Sequence, residues 1–208
     1  MRIKFIGHAS FLITSESGVK IITDPYMKSP YIKYEDIKDE ADIVLISHDH
    51  DDHNNPKAVK GKPKIVKEVG ETEIKGIKIK GIQSFHDTEK GKLRGKNIIY
   101  KFEVDGIKIC HLGDLGHTLD EEKVKEIGEV DILLIPVGGT FTIGPDEAWE
   151  VVKALNPKII IPMHYKTQYC LYPLKEVKEF TKGKEKEEGK EIEIKELPTE
   201  QTIITLKP

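Results

Sequence analysis

The sequence is poor in cysteine and aromatic residues, carries no excess charge of one sign and has no long apolar run. Cys110 and Cys170 are its only cysteines in 208 residues, too few for a disulfide framework. The longest apolar stretches, around Ile132–Val137 and Ile159–Met163, are strand-sized, well short of the ~18 residues a membrane span needs. The opening MRIKFIGHASFLI is broken by Gly7 and His8 and has no small-residue cleavage site, so no secretory leader is expected. Lys and Arg number 33 against 36 Asp and Glu, a net charge of −3. That balance argues against a nucleic-acid partner, whose backbone is gripped chiefly by charge. G-x-S-x-G, G-x-x-x-x-G-K-[ST] and a dinucleotide-type G-x-G-x-x-G are all absent. The expectation is a cytoplasmic protein with no membrane segment, a single domain over residues 1–208, whose core needs no metal merely to fold. Nothing in the sequence sets its oligomeric state.

What is present reads first as β-structure. Ile3, Phe5, Phe11 and Ile13 alternate with less apolar positions, and Val19–Ile22 follows a turn at Ser15–Gly18. Asp24-Pro25 ends that strand, and residues 26–34 form a loop. Ile43–Ile46 has the composition of a strand buried on both faces. Residues 73–83 suggest a hairpin about Gly76, and Asp105-Gly106 joins two further strands, 97–104 and 107–112. The period then changes. Helices are expected over 119–127, capped by Asp120, over 145–155, with Pro at its first turn, and over 174–181. Between them lie buried strands at 132–135 and 159–161, and 202–206 closes the chain. This α/β pattern is best buried as two sheets covered by helices. The Lys/Glu tract 182–196 has the character of an ion-pair-rich surface like those of thermophile proteins.

Polar clusters stand at four strand-to-loop junctions. The densest is His48-Asp49-His50-Asp51-Asp52-His53, three imidazoles and three carboxylates after an apolar strand. Imidazole with carboxylate and no thiolate suits zinc, iron or manganese in an open site rather than a structural zinc knot. His86, Asp114 between Gly113 and Leu115-Gly116, and His164 also sit at strand ends. Each taken alone is as compatible with a hydrogen-bonded structural role. Asp24 is placed to accept the free N–H of a ligating histidine. His8 could face substrate, His111 could be a core residue, and Tyr165 or Lys166 could meet an anionic substrate or simply pack or be solvated. Cys170 lies near His164, with no support for thiol catalysis.

The order H-x-H-x-D-H, a later His, a Gly-Asp pair and a final His resembles the metallo-β-lactamase superfamily. Gly7-His8-Ala9-Ser10-Phe11, Thr23-Asp24-Pro25-Tyr26, residues 136–145 and Pro162-Met163-His164-Tyr165 are similar to its small metal-dependent hydrolases related to L-ascorbate-6-phosphate lactonase. The chain departs from that branch at Leu115, where Thr is usual. The resemblance implies an α/β, four-layer αββα sandwich and a dinuclear metal-dependent hydrolase. His48, His50 and His86 would hold one metal, Asp52, His53 and His164 the second, and Asp114 would bridge them. The metals would be zinc or manganese, with iron possible. A metal-bound hydroxide would attack a small lactone, ester or phosphoester, with Asp52 orienting it or taking its proton. The competing readings are a nuclease, a two-iron redox protein and a non-catalytic metal-binding protein.

Overall fold

The computed structural model describes residues 1–208, the side chain of Glu187 excepted. Its strands are β1 (Arg2–Gly7), β2 (Ser10–Thr14), β3 (Lys20–Thr23), β4 (Ile43–Leu45), β5 (Lys64–Val66), β6 (Gly70–Ile74), β7 (Ile77–Phe85), β8 (Lys96–Val104) and β9 (Ile107–His111). After helix α1 (Glu121–Ile127) come β10 (Ile132–Pro136), α2 (Pro145–Leu155), β11 (Ile159–Met163), α3 (Val177–Thr181), β12 (Glu185–Glu187), β13 (Glu191–Glu193) and β14 (Thr202–Thr205). They build two mixed sheets, ordered β13-β1-β2-β3-β4-β5 and β12-β14-β11-β10-β9-β8-β7-β6.

Strand periodicity explains how two sheets share one interior. Successive side chains point to opposite faces, so Ile43 and Leu45 enter the layer between the sheets while Val44 and Ile46 face outward. In the second sheet Ile132, Leu134, Ile159 and Ile161 point into that same layer. Leu133, Ile135 and Ile160 point the other way, against Ala148, Val151, Val152 and Leu155 of α2. Both faces of β10 and β11 are therefore apolar, which is why these strands read as continuous hydrophobic runs.

The outer layers differ. All three helices lie over the second sheet, with Ile127 and Phe180 in the same cluster as α2. The outer face of the first sheet is covered instead by loops bearing Tyr26, Ile32, Tyr34, Ile37 and Leu174, and by a 3₁₀ turn at Pro56–Ala58. One outer layer of the expected αββα sandwich is thus irregular chain. The expected helix over 174–181 shortens to Val177–Thr181 because Leu174 is drawn into this loop layer. The expected helix at 119–127 begins at Glu121, with the Asp120 carboxylate accepting from the N–H of Lys123 at 2.7 Å. The Lys/Glu tract supplies β12 and β13, end strands of the two sheets, where charge discourages edge-to-edge pairing with other chains. No described helix is long and apolar enough to cross a membrane.

Polar ties fix one sheet against the other at the end where β4 stops. The buried Tyr100 hydroxyl, on β8, donates towards the carbonyl oxygens of Ile46 (2.8 Å) and Val66 (3.1 Å), in the opposite sheet. The Ile98 N–H donates to Ser47 O at 2.9 Å. Replacing Tyr100 by Phe leaves buried carbonyls without their donor. The Tyr100→Phe protein should lose about 1–3 kcal/mol in a urea titration, and an unchanged midpoint would show that this tie is not holding the sheets.

Candidate metal centre

β1, β3, β4, β7, β9 and β11 all end on one edge of the sandwich, and each is followed within a few residues by a polar side chain of the cluster. β3 and β4 run parallel, as do β9, β10 and β11, so their C-terminal ends coincide, where ligands of open α/β sheets gather. His8, Asp24 and His164 occupy left-handed backbone, with φ of 58°, 36° and 51°. These turns swing the chain out of each strand and aim the side chains into the edge.

The structure brings together all seven residues that the family pattern singled out. Asp114 Oδ2 lies 3.2 Å from His86 Nε2, 3.2 Å from His164 Nε2, 3.3 Å from His53 Nε2 and 3.8 Å from His48 Nε2. His50, more exposed, stands with its ring 4.6 Å from that of His48 and 5.1 Å from that of His86. Three sets present atoms close enough to hold an ion: His48, His50 and His86; His48, His53 and Asp114; and His8, Asp52, His53 and His164. Buried polar atoms are almost always hydrogen-bonded. Here His48 Nε2, His53 Nε2, His86 Nδ1, His164 Nδ1 and Asp114 Oδ1 have no partner. Of these, His48 Nε2 and His53 Nε2 point at Asp114, beside the Nε2 atoms of His86 and His164, and imidazole nitrogens gathered round a buried carboxylate are a donor set suited to a divalent cation.

Hydrogen bonds behind the cluster orient two of its rings. The Ser47 hydroxyl donates to Asp24 Oδ2 (2.7 Å), so its oxygen accepts from His48 Nδ1 (2.8 Å). His53 Nδ1 donates to the same Asp24 oxygen at 3.0 Å, and the Ser47 N–H donates to Asp24 Oδ1 at 2.7 Å. Both rings carry a proton on Nδ1 and turn Nε2 towards Asp114, the orientation a metal-ligating histidine needs.

Charge follows the same geometry. Burial, reinforced by His53, pushes His48 down to about 3, and burial with His164 nearby pushes His8 down to about 4. Both are neutral imidazoles at neutral pH. Burial opposes the Asp114 carboxylate, but His164 and His53 outweigh it and hold the group well below its ordinary range. His53 is likewise opposed by burial yet raised by Asp114 and Asp24.

Asn97, which the sequence reading passed over, is the hub of the second sheet's edge. Fully buried, its amide donates to Ser84 Oγ (2.7 Å) and Leu112 O (2.9 Å), and its Oδ1 accepts from the Asp114 N–H (2.9 Å). It thereby ties the ends of β7, β8 and β9. Gly113 passes between it and Ser47 at φ 56°, where a Cβ would lie 2.4 Å from Asn97 Oδ1 and 2.5 Å from Ser47 Cβ. The strand also carries Lys96, Lys101 and Glu103, so nothing in its sequence singles out Asn97.

Other candidates fall elsewhere. Tyr165 is buried in the core under α2, its hydroxyl towards Leu206 O at 3.5 Å, so the packing alternative describes it. The Lys166 side chain is exposed and outside the cluster. His111 is buried, with Nε2 donating to Ala9 O (3.0 Å) and Nδ1 accepting from the Gly113 N–H (3.2 Å), a structural histidine. Leu115 is core. His8 does not face the opening; it lies buried between Asp52 Oδ2, 3.2 Å from Nε2, and Cys170 Sγ, 3.9 Å from Nδ1.

A cleft of about 530 Å³ leads from the surface to His50, Asp52, His86, Asp114 and His164. Its mouth is framed by Met27, Tyr31, Arg94, Phe141 and Tyr172. Of the segment 138–144, expected to contribute to the pocket, Phe141 reaches it, while Gly138 lets the chain pass His164 O, 2.2 Å from where a Cβ would stand.

The comparisons agree with this geometry. Residues 2–164 match the model of the β-lactamase superfamily domain. A UPF0173 metal-dependent hydrolase of Thermococcus onnurineus is 34% identical, the match covering 80% of this chain and 85% of that one. A Thermotoga maritima structure described as a zinc-dependent hydrolase of the metallo-β-lactamase superfamily superposes with TM-score 0.83 at 43% identity, covering 99% and 97% of the two chains. A protein from Parabacteroides distasonis described as a metal-dependent hydrolase superposes with TM-score 0.65 at 27% identity, covering 87% and 88%. The chain belongs to the metallo-β-lactamase superfamily and, within it, to the UPF0173 metal-dependent hydrolases.

Proposed function

We propose that the cluster holds two divalent metal ions, zinc or manganese with iron the remaining candidate, and that the protein hydrolyses a small lactone, ester or phosphoester. The observation that carries this reading is the single Asp114 oxygen ringed by the Nε2 atoms of His48, His53, His86 and His164. A carboxylate so placed would be shared between the two ions. His48, His50 and His86 would hold the first ion, and Asp52, His53 and His164 the second. When bound, such a pair acidifies water to near neutrality and stabilises charge on the attacked oxygen.

The chain's own groups have distinct tasks. Asp52 lines the cleft and is partly exposed. Burial opposes its charge, but the His8 hydrogen bond and His53 outweigh it and keep the carboxylate ionised. It is the group placed to orient the attacking water and accept its proton before passing it to the leaving oxygen. His8 is neutral, so one ring nitrogen carries the proton. Nε2–H donating to Asp52 leaves Nδ1 to accept from the Cys170 S–H. The left-handed turn at His8 thus serves to fix Asp52. Asp24 and Ser47 hold His48 and His53 by Nδ1, with Nε2 turned towards Asp114, without entering the cleft.

Loading the purified protein with zinc or manganese should produce turnover of at least one class among 4-nitrophenyl esters, lactones and bis-4-nitrophenyl phosphate. Asp114→Ala or His164→Ala should lower that turnover by more than ~100-fold, beyond the effect of losing an outer partner. Failure of every class, or turnover indifferent to both substitutions, would overturn the reading. Asp24→Asn puts an amide N–H against His53 Nδ1 in one orientation and against the Ser47 N–H in the other. Metal affinity in a chelator competition should fall ~10–100-fold with the fold retained; unchanged affinity would remove Asp24 from this role.

A further inference from the structure

Arg94 is one of two arginines, with Arg2, among 33 Lys and Arg residues. It stands on the wall of the cleft that opens on the candidate metal centre, and several observations distinguish it from the surface lysines.

Its platform is rigid and referenced to the centre. The Asp87 carboxylate, directly after His86, accepts from the backbone N–H groups of Glu89 (2.8 Å), Gly91 (2.8 Å), Leu93 (3.0 Å) and Arg94 itself (2.7 Å). The loop closes by the His86 N–H donating to Gly95 O at 3.1 Å. The backbone of Arg94 is therefore fixed relative to His86, across one carboxylate. Its side chain is oriented from the other wall of the cleft: the guanidinium lies 5.7 Å over the Phe141 ring and donates one N–H to Thr140 O at 3.3 Å. Guanidinium carries five N–H donors in a planar fork, so most remain for a ligand. Among the described residues no carboxylate lies within 4.0 Å of Arg94, whereas Lys28, the other cation lining the cleft, is paired with Asp36 at 3.2 Å.

The rest of the mouth sets Met27 and three aromatic side chains beside the polar Lys28, Ser29 and Asp51. Tyr31 and Tyr172 stack at 5.3 Å with their planes 9° apart, and Phe141 meets Tyr172 edge-on at 5.6 Å. Tyr31 is 54% exposed and Met27 45%. Exposed aromatic and apolar side chains around a polar centre mark a ligand surface.

We propose that Arg94 is the specificity-determining residue of this cleft, and that the substrate is a small anion whose carboxylate or phosphate pairs with it. The uncharged, planar or aliphatic part of that substrate lies along Tyr31, Phe141 and Tyr172, and its scissile bond reaches towards Asp114. This rests on the hydrolase reading for the scissile bond, but not for the anion contact. A carboxylate and a phosphate both match the guanidinium fork, and lysine, a point charge, does not.

Two arms test it. In the first, the metal-loaded protein is given 4-nitrophenyl butyrate and its anionic counterpart, 4-nitrophenyl hydrogen glutarate. The anionic ester should be preferred. Arg94→Gln should raise its KM at least tenfold with kcat within twofold, leave the neutral ester unchanged, and be only partly rescued by Arg94→Lys. Preference for the neutral ester, or an equal effect on both esters, overturns the proposal. In the second, benzoate and phenyl phosphate are titrated into the metal-free protein in a calorimeter, where metal plays no part, and the tighter of the two identifies the anion. Binding to the wild type that weakens at least tenfold in Arg94→Gln supports the contact. No binding, or binding indifferent to the substitution, overturns it. Inactivity towards both esters with binding intact would count against the hydrolase reading alone, and the second arm would then decide Arg94.

Discussion

The structure turns on the cost of burying the Asp114 carboxylate. An ionised carboxylate taken from water is affordable only where opposite charge and hydrogen bonds replace the hydration it loses. The Asp114 backbone N–H donates to Asn97 Oδ1, but its carboxylate Oδ1 has no hydrogen-bond partner and its Oδ2 faces imidazoles. Those imidazoles are neutral or share protons among carboxylates, as at His53. A packing argument would remove such a group; a cation-binding argument requires it. The surrounding architecture follows from holding that arrangement still.

Stillness comes from setting the cluster just beyond strand ends, with β4 and β11 buried on both faces. β4 delivers His48, β7 His86, β9 Asp114 and β11 His164. The ties formed by Tyr100, Ser47 and Asn97 link the two sheets at that same edge. Left-handed backbone at His8, Asp24 and His164 carries a cost of about 1–2 kcal/mol each for residues with a Cβ. Such strain persists where the surrounding structure over-determines the conformation and clusters at functional sites. All three lie against the candidate centre, whereas the other non-glycine residues with positive φ, Lys75, Lys90, Asp105, Thr140, Asn156 and Lys182, sit in turns or at helix C-termini.

How much of this was legible depends on whether the signal was local. Three histidines and three aspartates in 48–53 need no fold to be conspicuous. Gly144-Pro145 and Asn156-Pro157 bound α2 where it was expected because caps act within one turn. Tyr165 was misleading for a geometric reason. Ile159, Ile161 and Met163 all face the layer between the sheets, and continued alternation would send Tyr165 there too. The left-handed turn at His164 breaks the period, and Tyr165 enters the opposite core. Asn97 and Arg94 were invisible for another reason: each acts across a sheet edge or a cleft that exists only after folding. The loop layer over the first sheet was missed because Tyr26, Ile32, Tyr34 and Leu174 have no period to read.

This division between local and assembled signals also separates two kinds of work. The candidate metal centre is built from strand ends, whose positions two packed sheets hold in common. The cleft mouth is built from the loops bearing Met27 and Tyr31, Arg94, Phe141 and Tyr172, which contribute little to either inter-sheet core. The strand-end cluster and the mouth thus come from different parts of the chain, the division by which one fold serves many substrates. A family recognised by its strand-end ligands is therefore one whose substrates must be read from the mouth. In this chain the mouth sets aromatic side chains beside a single guanidinium oriented by Phe141 and Thr140 and anchored through Asp87 to the residue beside His86.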